Sequence, residues 1–128
     1  MPTPDQLLHW FTFAGPGDDA TKAKHKAIRQ AEATCDVAIA ESMIAEDFPR
    51  IADACLTFAN VINDLAPESA DKTAAIRCVR IARMAANEAI MLGRRQEPEA
   101  AETCAILAMQ NLRLARYQGS AAIALGGK

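Results

Sequence analysis

Residues 67–93 read PESADKTAAIRCVRIARMAANEAIMLG, and this stretch decides the fold. Nothing inside it breaks a helix. Pro67 and Glu68 suit a first turn, where a missing N–H costs nothing and a carboxylate meets the positive helix end. Ser69 is a second candidate N-cap, with Asp71 close behind. The next glycine, Gly93, suits a C-terminal stop. Ala75, Val79, Ala82, Ala86, Ala89 and Gly93 recur at spacings of four and three, so they share one face. Almost all are small, and a partner helix can approach such a seam closely. Arg77, Arg80, Arg83 and Asn87 follow a second line of similar period. Its three guanidiniums and one amide can donate hydrogen bonds to phosphate or carbonyl oxygens.

Outward from this stretch the chain keeps the same character. Ala14–Asp19 (AGPGDD) reads as a turn, with Asp18 or Asp19 able to cap the next helix. That helix is predicted from about Thr21 to Ala45. Glu46-Asp47-Phe48-Pro49 ends it, because proline disfavours helix in the preceding residue and suits a first turn. A second helix runs from about Pro49 to Leu65. After 67–93, a fourth starts at Pro98 and reaches about Leu125, before Gly126-Gly127. No segment alternates with period two, so no strand is predicted. Ahead of all four lies an aromatic piece, Leu7, Leu8, Trp10, Phe11 and Phe13, read as a short N-terminal helical turn. The expected fold is all-α: an antiparallel helical hairpin expanded to about four long helices in a single domain, 1–128. Its parts are an N-terminal segment 1–19, two helices within 20–65, the core helix 67–93 and the last helix 98–126.

The second half repeats itself. IARMAANEAIMLG at 81–93 aligns with LARYQGSAAIALG at 114–126. The small seam then maps onto Ala108, Leu112, Ala115, Gly119, Ala122 and Gly126. The polar line maps onto Gln110, Arg113, Arg116 and Ser120. The plain alternative is chance likeness between alanine-rich helices. Recurrence of both lines together argues against it.

Composition narrows the chemistry. The hydrophobic share is 51% but the aromatic share only 5%, so the helices meet through thin seams. A net charge of −2 gives no general affinity for polyanions and argues against long nucleic acid as a partner. A local arginine cluster still leaves a small anionic ligand open. Cys35, Cys55, Cys78 and Cys104 form no C-x-x-C pair and each falls in a helical run, as expected of reduced thiols in the cytoplasm. The first residues lack the basic and apolar regions of a signal peptide and are too short for a membrane span. His9 and His25 sit in no ligand pattern, and no nucleophile–base or phosphate-loop motif is visible. Neither a metal nor a cofactor is assigned, and binding is expected rather than catalysis.

Trp10-Phe11-Thr12-Phe13, Pro16, Ile28-Arg29, Pro67-x-Ser69-Ala70-Asp71, Ala75-Ile76-Arg77, Val79-Arg80 and Met84-x-Ala86-Asn87-x-Ala89-Ile90 together form a recognisable pattern. Segments 8–29 and 58–93 carry it, and they resemble the helical-hairpin domain of phage anti-CBASS and anti-Thoeris sponge proteins. Phe13-Ala14 and His25 depart from that pattern, which more often has Tyr-His and Tyr there. The resemblance implies a homo-oligomeric protein of the bacterial cytoplasm that is not an enzyme. It implies capture of an intact cyclic di- or trinucleotide, or cyclic ADP-ribose, away from host defence effectors. On that reading Arg29, Arg77, Arg80 and Arg83 meet phosphates, Phe11, Phe13 and His25 meet bases, and Asn87 supplies a polar edge or a helix contact. The assembly would use the small-residue seams. Three other readings stand beside it: a helical module that binds a host or phage protein, an enzyme that cleaves the messenger, and surface arginines that merely pair with glutamates.

Overall fold

The computed structural model describes residues 3, 4 and 18–126. Among the described residues four long α-helices follow one another: α1 (Asp19–Ala45), α2 (Phe48–Leu65), α3 (Ala70–Arg94) and α4 (Pro98–Gly126). Adjacent helices run antiparallel and no strand occurs among the described residues, so the chain is all-α as expected. The short N-terminal helix, apart from Pro4, lies outside the described residues, as do Phe11 and Phe13.

Each boundary has a local cause. The Asp18 carboxylate accepts from the Thr21 backbone N–H at 2.6 Å, and Asp47 accepts from Arg50 N at 3.1 Å. Of the two candidate starts for α3, Ser69 takes the cap: its hydroxyl accepts from Lys72 N at 3.1 Å. Pro67 and Glu68 stand ahead of the helix, and Lys72 Nζ donates back to the Glu68 carboxylate at 2.7 Å. The expected stop at Gly93 is one residue early. Helix α3 runs to Arg94, and Gln96, with φ 60, takes the left-handed position. The Gln96 N–H then reaches Gly93 O at 3.1 Å and the Glu97 N–H reaches Leu92 O at 3.0 Å, which closes the helix end without glycine's freedom. A second left-handed residue, Glu46 with φ 54, ends α1. Its carboxylate pairs with Arg94, whose guanidinium lies 5.2 Å from the Phe48 ring centroid, so the α1–α2 turn is tied to the end of α3.

The bundle is two hairpins laid together. Helices α3 and α4 share the most extensive contact and α1 and α2 the next. Contacts of α2 with α3 and of α1 with α4 close the square, while the α1–α3 diagonal is slight. The core is Ile28, Cys35 and Ile39 from α1, and Ile51, Cys55, Phe58 and Ile62 from α2. It also takes Ala75, Val79, Ala82, Ala86 and Ile90 from α3, and Ala108, Leu112, Ala115, Ala122 and Ile123 from α4.

Ala75, Val79, Ala82, Ala86 and Ala89 of the first small seam and Ala108, Leu112, Ala115, Gly119 and Ala122 of the second are buried inside one chain, while Gly93 at the end of the first is exposed. Within the chain these residues serve the packing of its own helices. Gly119 belongs to the same interior. A Cβ built there would stand 3.4 Å from Ile28 and 3.6 Å from Ile62, ordinary van der Waals contact. Gly119→Ala is therefore expected to stabilise the protein by about 0.5–1 kcal/mol in a urea titration, through helix propensity and added contact.

His25 is buried on the inner side of α1. Burial, and after it the charge of Arg29, lower its pKa from the ordinary 6.5. The unfolded chain therefore takes up the proton first. Stability is full above pH 6.5 and falls as pH drops through the window below it. Asp18, held below its usual 3.8 by the hydrogen bond from Thr21, acts only in a more acidic range. Urea midpoints measured on either side of pH 6.5 should differ, and His25→Gln should flatten the difference.

Candidate functional site

Between α2 and α3 runs a groove of about 210 Å³. Ala52, Cys55, Leu56 and Ala59 form its α2 side, and Ile76, Val79, Arg80 and Arg83 its α3 side. The α2 residues stand at i, i+3, i+4 and i+7, one helical stripe next to the buried line of that helix. Alanine and cysteine on this stripe leave a shallow trough, and the long arginine stems of α3 stand over it with their charged heads outward. No carboxylate lines the groove.

The charges here are not spent on the protein itself. The ion pairs among the described residues are Arg50–Glu41, Lys72–Glu68, Arg94–Glu46 and Arg116–Glu32. None uses Arg29, Arg77, Arg80 or Arg83, so the alternative of arginines simply paired with glutamates finds no support there. Arg83 reaches the groove floor electrostatically. The Cys35 contact and then the Arg83 charge draw the Cys55 thiol down, against the burial of that residue. Cys35, on the other side of the same contact, is pushed well above the usual thiol range by Cys55 and by burial. Asn87, one turn beyond Arg83, keeps its side-chain oxygen buried with no hydrogen-bond partner among the described residues.

The remaining predicted residues separate. Arg77 is exposed and lies about 120° around α3 from Arg83, on the solvent face and off the groove lining. Glu32, one turn after Arg29, pairs with Arg116 of α4 at 2.9 Å, so that flank of α1 belongs to the α1–α4 side. In a square bundle this side is opposite the α2–α3 groove, and within one chain Arg29 does not join Arg80 and Arg83. His25 is in the core. The repeat of the arginine line on α4 is used differently: Arg116 is held by Glu32 and stacks 4.3 Å from the Tyr117 centroid, and Ser120 is buried. Sequence reading overlooked the α2 wall. Its signal was present in the 52-55-56-59 spacing, but nothing in the sequence says which helix lies beside the arginines.

A second groove, about 380 Å³, lies between α1 and α2 over Ala31, Cys35, Ala54 and Phe58. It is mainly apolar, with Arg50 and Asp53 at its edge. Among the described residues no group of three His, Cys, Asp or Glu side chains could hold a metal ion, and no helix is long and apolar enough to cross a membrane. Comparison of the chain with protein-family models, curated proteins and solved structures finds no match.

Proposed function

We propose that the protein binds and sequesters a small cyclic nucleotide second messenger of the cyclic oligonucleotide or cyclic ADP-ribose type, without chemistry on it, as an anti-defence sponge in a bacterial cytoplasm. The observation that carries the reading is the position of Arg80 and Arg83, neither ion-paired among the described residues, over an apolar α2–α3 trough. Guanidiniums supply forked donors to phosphate oxygens, and the trough accepts the flat face of a base or a sugar edge. Asn87, one turn beyond Arg83 and outside the groove lining, has a buried side-chain oxygen that lacks a donor among the described residues. The resemblance of segments 8–29 and 58–93 supports the same class of ligand and assigns Phe11 and Phe13 to its bases.

The groove is smaller than the roughly 300–1,000 Å³ of most small-molecule sites, so it holds one corner of such a ligand. Other walls complete the site. His25 and Arg29 do not face this corner in the same chain, so any part they play is at another wall of the site or from another subunit.

The test is thermal shift against cyclic di- and trinucleotides and cyclic ADP-ribose isomers, followed by denaturation and chromatography of the released ligand. Stabilisation with intact ligand recovered is the expected outcome. Arg80→Ala and Arg83→Ala should each weaken binding about tenfold or more, the scale of one lost charged hydrogen bond, while Arg77→Ala changes it little. Stabilisation by none of these ligands would sink the reading, and turnover of the ligand would replace it with an enzyme. The protein–protein reading keeps one observation of its own, an exposed apolar face on α3 and α4.

A further inference from the structure

Ile81 and Met84 of α3 and Leu107 and Leu114 of α4 are 37%, 56%, 44% and 48% exposed. They form one surface. The Cys78 thiol donates to Gln118 Oε1 at 3.4 Å, which fixes the register of the two helices. Because they run antiparallel, the step from Cys78 on to Ile81 meets the step from Gln118 back to Leu114. Two turns further along, Glu88 comes level with Leu107. Single exposed apolar side chains are ordinary on a protein surface, but four that adjoin across two helices mark a contact site.

The charges beside them say what covers the face. Along α3 the exposed line reads Arg77, Ile81, Met84, Glu88, at i, i+4, i+7 and i+11. It is apolar in the middle and oppositely charged at its ends. Neither Arg77 nor Glu88 has an ion pair among the described residues. Laid antiparallel on its own copy, about a two-fold axis between residues 82 and 83, the line matches itself. Ile81 meets Met84 of the second copy, and Arg77 meets Glu88 of the second copy, each contact made twice. A two-fold contact needs this self-complementarity, and an unrelated protein partner does not call for it. Leu107 and Leu114 widen the seam from one helix to two.

We propose that the protein forms a homodimer through this face, with α3 antiparallel to α3 of the second copy. The contact is separate from the α2–α3 groove, which opens on the adjoining side of α3, and it does not rest on the ligand reading.

Charge reversal tests it. Sedimentation equilibrium of the full chain should give a dimer. Arg77→Glu, and separately Glu88→Arg, set like charges opposite each other at both ends and should raise the dissociation constant about 100-fold, roughly tenfold per pair. The double variant R77E/E88R restores both pairs and should recover the dimer. Met84→Asp should give monomer with unchanged helical circular dichroism, since the residue is exposed. A wild-type monomer at all concentrations overturns the proposal. So does a dimer indifferent to the single reversals, or one not rescued by the double.

Discussion

Phe58→Ala is expected to lower the free energy of unfolding by about 3–5 kcal/mol, out of the roughly 5–15 kcal/mol that holds a domain of this kind together. Phe58 is among the largest side chains fully buried in the bundle and, among the described residues, the only aromatic one in the buried core. It sits on the inner line of α2 with Ile51, Cys55 and Ile62, and α1 supplies Ile28, Cys35 and Ile39 to the same core. These β-branched or short side chains fill only part of the space that a phenyl ring leaves, so much of the cavity stays open. One feature limits the loss. Phe58 also forms part of the floor of the α1–α2 groove, so the void joins space that water already reaches. That places the value toward the lower part of the range, with Phe58→Leu costing well under half as much. Urea titration with unchanged slope checks it. A loss below about 1 kcal/mol would mean that the α1–α2 hairpin is not packed as described.

Much of the fold was legible because its signals are local. Asp18, Ser69, Pro49 and Pro98 mark helix starts through chemistry confined to one turn, and each stands at or within a residue or so of a start. The seam 75-79-82-86-89 and its repeat 108-112-115-119-122 are buried throughout, since a period of 3.6 with small residues has few uses other than close packing. Gly93 misled because a glycine near a helix end is only one way to close it, and Gln96 with its backbone hydrogen bonds is another.

The candidate site was legible only in part, for a different reason. Arg77, Arg80 and Arg83 look equivalent when read at spacings of three. Each step of three falls about 60° short of a full turn, so over six residues the line drifts about 120° around the helix. Arg83 therefore reaches the groove and Arg77 faces water. Arg29 shows the other limit. Whether it meets the α3 arginines depends on the order of helices around the bundle, which is set by inter-helix contacts that no single helix encodes.

Ala115→Leu is the second large effect, expected at about 3 kcal/mol, the upper part of the range for overpacking a core. Ala115 is fully buried on α4. The register set by Cys78 and Gln118 brings it level with Ala82 of α3, also fully buried. Two alanines opposite each other let the helix backbones lie close, and a leucine has no free rotamer between them. The helices must separate, and separation at one level loosens the neighbouring seam contacts along both helices. The damage therefore spreads along the most extensive helix contact in the molecule. The outcome contrasts with Gly119→Ala four residues on, where the added methyl meets side chains at ordinary distance. Measuring the two variants side by side separates a seam limited by backbone approach from a merely small-residue helix. If Ala115→Leu costs less than about 1 kcal/mol, α3 and α4 are not in close contact there. The buried seam would then be free to serve between subunits, the use its small residues suggest on sequence alone.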